Sequence, residues 1–587
     1  MANGSASPTV FGRWIAGRWK PFALRVFMFF VLYIVSLPVM VPLVALVRYT
    51  PPLMHDVFGR AEIFGEPPNY WGDMSVWAML AAFVWCFWAF WFLSGDKFKG
   101  VVVKAWEPFQ RHDTMAAMGK GGSSKFAGMV DEWGHAYKPG AIRLGRSLYD
   151  DSLIGLEDDR GLLTIASNRS GKGRAAIIPN LITWPGSVLV IDPKGTNAAV
   201  TAARRGNGGG RVKYYLGQPV HVLDPFGIVE GVQSAAFNPL SAVDLKGNRA
   251  KEDIGLIADA LVVSGGGRDA HWDEGARTII SGVIAHLLSE HAKPRMRIVE
   301  HDTPEAAPAP LPSLIDVRAA LRQGPEGLDS MFGAMMQNPL AGGLAQAAAS
   351  MISAAGPNER GSLFTTTLRN TSWLDSEAMA GILGRSDFRM SDLKTAPMSV
   401  YVVLPPDLLD EHARFMRLFV NLTVRAASQG GKSKVPILLV MDEFYALGPL
   451  GSLAKAAGAL AGYGLKLWPI LQNLSQLREL YPQNWQTFFA NAGAVQIFGV
   501  NDRGTAEEII ATLGKSARLE KVGDRETRLV TNLLEGSELE QLTERGAGLQ
   551  VVLRSGARPL LLKKSNYDQD PDFTREMYAA DPDHAGS

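Results

Sequence analysis

The chain has 587 residues, a formal net charge of +1 and only 20% charged residues. That length exceeds one ordinary core, so at least two domains are implied, and the near-neutral balance excludes a global basic field, so that any nucleic-acid contact must be local. The one cysteine, Cys86, excludes an intramolecular disulfide, and the ten histidines show no zinc spacing.

Most of the excess hydrophobicity sits in the first hundred residues. Val26 to Val47 and Met74 to Leu93 carry no charge, and each is long enough to cross a hydrocarbon core of about 30 Å. The two runs predict a transmembrane hairpin over 26–94, and their length and pairing argue against a signal peptide. Arg13, Arg18, Lys20 and Arg25 precede the first span and Lys97, Lys99 and Lys104 follow the second, whereas Asp56, Glu62, Glu66 and Asp73 lie between them. Cationic flanks stay inside, so residues 1–25 and everything after 94 are expected in the cytoplasm.

The cytoplasmic body centres on a short apolar strand, Gly161 to Ile165, that breaks into Ala166-Ser167-Asn168-Arg169-Ser170-Gly171-Lys172-Gly173 and resumes as an apolar helix start from Arg174, expected to stop at Pro179. This is the layout of a phosphate loop. Ser167 to Arg174 would wrap a phosphate with backbone N–H groups, and Lys172 would reach the outer phosphates. The helix would add the positive end of its dipole. Ala166 replaces the first glycine of the strict pattern and Gly173 replaces the hydroxyl that usually holds Mg²⁺. A second strand, Ser187 to Ile191, ends in Asp192-Pro193-Lys194-Gly195, and a third, Ile437 to Met441, ends in Asp442-Glu443. A strand closing on paired acids supplies one carboxylate to hold a metal, Asp442, and one to polarise water, Glu443. Gln472, after the strand Leu467 to Leu471, could sense the γ-phosphate or orient water.

Strands alternating with helices predict an α/β fold with a mostly parallel sheet. The nucleotide-binding domain occupies 95–253 and 394–565. An inserted all-α domain fills 254–393, where Ala, Met and Leu recur at helical spacing. His271 and Trp272 near its start read as packing residues. Residues 566–587, polar and acidic, read as a flexible tail.

Arg169-Ser170-Gly171-Lys172-Gly173, Pro179-Asn180-Leu181, Trp184-Pro185-Gly186-Ser187-Val188, Asp192-Pro193-Lys194-Gly195, Phe237-Asn238-Pro239-Leu240, Asp442-Glu443-Phe444 and Gln472-Asn473-Leu474-Ser475-Gln476-Leu477 occur in this order. Together they resemble the TraG-like coupling proteins of type IV secretion systems over essentially the whole chain. The resemblance implies a homo-hexameric ATPase anchored in the inner membrane as a multi-pass protein, with a RecA-like P-loop domain, ATP and Mg²⁺ as ligands, and an all-α domain. It implies delivery of a relaxase with its single-stranded DNA, accompanied by relaxosome accessory proteins, or delivery of protein effectors, to the secretion channel components. The family's loop lysine falls on Lys172, its paired acids on Asp442 and Glu443, and its glutamine on Gln472. Thr196 stands where relatives often carry Glu, which leaves proton transfer to Glu443, and Gly173 leaves Mg²⁺ to phosphates, waters and Asp442. A trans-acting arginine is implied as well, with Arg369, Arg385, Arg389 and Arg503 all open. An effector-protein receptor and a chromosome-segregation translocase are the alternative functions.

Overall fold

The structure is a computed structural model that describes residues 124–583, apart from 264–268, 302–309, 434–435, 452, 454–457 and 523–524. The spans expected over 26–47 and 74–93 lie outside the described residues, and among the described residues no helix is long and apolar enough to cross a membrane.

Among the described residues, eleven strands form one sheet. In chain order the strands are β1 (Ile142–Ser147), β2 (Leu153–Leu156), β3 (Leu162–Ala166), β4 (Val188–Asp192), β5 (Val220–Leu223), β6 (Ser399–Val403), β7 (Ile437–Met441), β8 (Leu465–Leu471), β9 (Ala494–Phe498), β10 (Lys515–Val522), β11 (Arg525–Asn532), β12 (Leu549–Leu553) and β13 (Leu560–Lys563). The order across the large sheet is β2-β1-β13-β12-β9-β3-β8-β7-β4-β6-β5, and β10 and β11 pair separately as an antiparallel hairpin. From β9 to β5 every pairing is parallel, and from β9 to β2 every pairing is antiparallel.

The parallel half is covered on both faces, which is why its strands are continuous apolar runs instead of alternating ones. Successive side chains still divide between the two faces. Leu163, Ile165, Leu189, Ile191, Leu439 and Met441 enter one core with the inserted helices. Leu162, Ala166, Val188, Val190, Leu438 and Val440 enter the other, with the helix that follows the phosphate loop.

Between β5 and β6 the described chain is helical, including Ala250–Leu261, the long Ala270–His301, Leu340–Ala354 and Pro357–Thr371. Trp272 packs against that core, whereas His271 is exposed and faces Glu359 at 3.4 Å. Helix Leu409–Ser428 then lies against Ala250–Leu261.

Two local expectations change. The helix after the phosphate loop does not stop at Pro179: it opens with a π-helical turn, Gly173–Ile177, and continues as Ile178–Thr183. The wider turn sends the N–H of Ile178 back to the carbonyl of Gly173, and Pro179, which has no N–H to place, sits inside the first turn of the α segment, where that loss costs least. Nor do residues 566–583 behave as a loose tail. Tyr567, Phe573 and Tyr578 are buried with Ile178, Ile182 and Val200 in a small core of their own. Arg143 and Arg146 hold Asp570 and Asp572 against β1. Acidic composition suggested solvation, but these carboxylates have guanidinium partners and the aromatic rings have a surface to cover.

Candidate nucleotide-binding site

β3, β8, β7 and β4 are parallel neighbours in register, with Ile165 opposite Leu471, Met441 opposite Pro469 and Ile191 opposite Met441. Their carboxyl ends therefore open on a single edge, the place where open α/β sheets bind ligands. The phosphate loop, Gln472, Asp442-Glu443 and Asp192 to Gly195 all emerge there, from positions far apart in sequence.

The loop is shaped by two left-handed residues, Arg169 at φ +60° and Gly171 at φ +90°. A Cβ at Gly171 would meet no atom within 4 Å, so glycine is required there by backbone conformation and not by space. Beneath the loop, a Cβ on Gly499 would stand 2.4 Å from the Cβ of Ser170, so this glycine lets the loop settle onto the end of β9. Ser170 is buried, lines the cleft and has no hydrogen-bond partner for its hydroxyl. A buried donor without a partner is costly, and a bound anion oxygen would satisfy it.

Lys172 Nζ lies 2.9 Å from Asp442 Oδ1 and 2.5 Å from Glu443 Oε1. Gln472 Nε2 donates to Glu443 Oε2 at 2.9 Å, and the backbone N–H of Gln472 donates to Gln476 Oε1 at 2.9 Å. Glu443 itself is left-handed, at φ +54°, an uncommon conformation for a non-glycine residue that turns the chain sharply after β7. Burial alone would lower the Lys172 pKa, but Asp442 and Glu443 outweigh it and hold the ammonium charged. Burial raises Asp442, against the pull of Lys172. Burial also works to raise Glu443, but Lys172 and the Gln472 amide overcome it and bring it below the ordinary glutamate value. Asp192 lies deeper. Burial, with Asp442 nearby, pushes its carboxyl up to about 7, although it accepts from Ala198 N at 2.8 Å and Asn197 Nδ2 at 3.1 Å.

Asn168 to Arg174 line an open cleft of about 1160 Å³ together with Asp442, Glu443 and Gln472. Ser167 is buried beneath the loop and does not line it. Arg174 lines the cleft, but its guanidinium is paired with Asp568, Nε to Oδ1 at 2.6 Å, so the ligand role expected of this side chain is already filled by a carboxylate. None of Arg369, Arg385, Arg389 or Arg503 lines this cleft. Arg385 pairs with Asp387 and Arg503 with Glu507.

Sequence reasoning missed Arg545, Lys564, Asn566, Gln569, Asp581 and Asp583, which complete the cleft wall. Lys564 carries a cation over the Phe498 ring at 5.2 Å, and burial, with Arg545 nearby, lowers its pKa to about 8. Arg545 precedes β12 and the others follow β13; none of them shares a motif with the loop, so no spacing in the sequence signals them.

A phosphate loop, an acidic pair and a glutamine gathered at the carboxyl edge of the parallel half of the sheet give the arrangement of a P-loop protein of the α/β class. The family described as Type IV secretory system Conjugative DNA transfer matches residues 118–581, and the chain belongs to that family. It is 28% identical over 376 residues to the conjugal transfer protein TraG of Escherichia coli, an alignment that covers 60% of this chain and 55% of that protein. It is 26% identical over 428 residues to protein VirD4 of Agrobacterium fabrum (strain C58 / ATCC 33970), covering 70% and 58%. The chain thus spans little more than half the length of these curated relatives. Among solved structures, the fold matches the bacterial conjugative coupling protein TrwBdeltaN70 with a TM-score of 0.55 at 17% identity, covering 77% of this chain and 95% of the other. It also matches TrwB in complex with ADP and Mg²⁺, with a TM-score of 0.54 at 18% identity, covering 78% and 99%.

Proposed function

We propose that the protein hydrolyses ATP to drive conjugative transfer, as an inner-membrane coupling protein that brings relaxase-bound single-stranded DNA to a type IV secretion channel. The observation that carries the enzymatic part is the contact set of Lys172 with Asp442 and Glu443, and of Glu443 with Gln472, beside a loop whose Ser170 hydroxyl lacks a partner. The family and the relatives named for conjugal transfer support the cargo and the channel as partners. The two uncharged runs before residue 94 support the membrane anchor, with both termini in the cytoplasm.

The chain's own residues suit the reaction. Lys172 would leave the carboxylates for the β- and γ-phosphates of ATP, and the loop N–H groups would hold the chain of phosphates. Glu443, released from Lys172 but still held by Gln472, would accept a proton from water as the water oxygen bonds to the γ-phosphorus and the bond to the β,γ-bridging oxygen breaks. Asp442 would hold Mg²⁺, which neutralises charge on the phosphates when bound. Assembly as a homo-hexamer would allow an arginine from a neighbouring subunit to reach the site.

Lys172→Ala tests this reading. Loss of a charge that acts on the transition state should lower ATP turnover of the purified full-length protein by about 100-fold or more, while circular dichroism and the melting temperature stay near wild type. Unchanged turnover would refute the assignment.

A further inference from the structure

The geometry points to residues 566–583 as the wall that reads the nucleoside of the bound nucleotide, a role that rests on the ATP reading above. A phosphate loop fixes the direction of its ligand: the outer phosphates lie at the lysine, and the α-phosphate and nucleoside lie past the residues that begin the next helix. In this chain the segment stationed there is 566–583. The N–H of Tyr567 donates to the carbonyl of Arg174 at 3.1 Å, and Asp568 pairs with the Arg174 guanidinium. Tyr567, Phe573 and Tyr578 seat the segment on Ile178, Ile182 and Val200. Asn566, Gln569, Asp581 and Asp583 from this segment line the same cleft as Lys172.

The chemistry of those groups suits a nucleoside better than a phosphate. Asn566 Nδ2 donates to Gln569 Oε1 at 3.0 Å. The pair is left with one amide oxygen to accept and one NH₂ to donate, a combination that complements the edge of a purine. Asp581 is fully engaged by the Tyr567 hydroxyl at 2.5 Å and by the N–H of Asp583 at 2.8 Å, so it fixes the end of the segment. Asp583 Oδ2 accepts from the Thr196 hydroxyl at 2.9 Å, which leaves Oδ1 to take a further donor. A carboxylate repels phosphate oxygens, and its natural partner beside a nucleotide is a ribose hydroxyl.

Equilibrium titration of the full-length protein with ATP, 2′,3′-dideoxy-ATP and inorganic tripolyphosphate tests the assignment. The double variant Asn566→Ala/Gln569→Ala should weaken ATP about fivefold or more and leave tripolyphosphate within about twofold, the size expected for lost hydrogen bonds to the base alone. Asp583→Ala should erase a wild-type preference for ATP over the dideoxy analogue. Equal weakening of ATP and tripolyphosphate would mean that the segment only supports the fold, and unchanged ATP binding would mean that it does not touch the nucleoside; either result overturns the inference. Lys172→Ala is the separate control and should weaken both ATP and tripolyphosphate. If it weakens neither, the nucleotide reading fails and the wall fails with it. If Lys172→Ala behaves as expected but the wall variants do not, only the wall is lost.

Discussion

Lys172 cannot serve two sets of anions at full strength. Its ammonium sits between Asp442 and Glu443, and a triphosphate would compete for the same charge. Glu443→Gln keeps the size and the contact to Gln472 but cannot accept a proton, so turnover should fall about 100-fold or more. The ATP dissociation constant, measured by titration, should stay equal or become tighter, because the variant holds Lys172 less strongly. A variant that lost binding and turnover together would show Glu443 to be a structural residue. A second test at this scale uses pH. The folded pKa of Asp192, about 7, lies above the ordinary value of 3.8. Between those values the folded chain keeps a proton that the unfolded chain has released, so stability from this group falls as pH rises from about 4 to 7 and is level above that. Asp192→Asn is uncharged throughout, so the melting-temperature advantage of wild type over the variant should shrink across that window. A gap that stays constant with pH would contradict a carboxyl neutralised by burial. Lys172, Asp442, Glu443 and Gln472 were all legible in the sequence because each ends a strand or loop of recognisable pattern. The engagement of Arg174 was not, because its partner Asp568 lies in a segment that composition alone describes as polar.

At the scale of elements, the site is tied to the inserted helices by one buried cation. Arg417, on helix Leu409–Ser428, donates to the carbonyls of Leu447 at 2.6 Å and Pro449 at 3.0 Å, in the loop that follows Glu443. It also donates to the carbonyl of Ala260 at 3.1 Å, at the end of helix Ala250–Leu261. Burial lowers its pKa to about 10, still far above neutrality. Arg417→Met would leave these carbonyls without donors, and the loss should be about 3 kcal/mol or more of stability, read from the midpoint of denaturation. A shift under about 1 kcal/mol would mean that water replaces the guanidinium. The parallel strands were legible because burial on both faces leaves continuous apolar runs, as in Ile437–Met441. The antiparallel edge was less so: β13 alternates buried and half-buried residues over only four positions. The β10–β11 hairpin carries mixed charges, Lys515 to Val522 and Arg525 to Asn532, so no apolar pattern announces it. Tyr567, Phe573 and Tyr578 anchor the carboxy-terminal segment at spacings that match neither a helix nor a strand, which is why the chain there read as a tail.

At the scale of the whole molecule, the proposed function requires a cytoplasmic nucleotide site, a membrane anchor and a contact with DNA. The charge bias around the two uncharged runs predicts that a cysteine at Gly65, in a Cys86→Ala background, reacts with a membrane-impermeant thiol reagent in intact cells, and that one at Ser123 does not. The reverse pattern would place the nucleotide site on the wrong side of the membrane for ATP. DNA makes the harder demand, because a chain of net charge +1 must gather its cations locally to hold a polyanion. The most direct measurement is ATP turnover by the full-length protein, in a sample first shown to be hexameric, with and without single-stranded DNA, alongside DNA binding across a salt series. The proposed transfer role predicts turnover that rises with DNA and binding that weakens steeply with salt as phosphate contacts release counterions. Turnover indifferent to DNA, with no salt-sensitive binding, would contradict it and favour an effector-protein receptor instead.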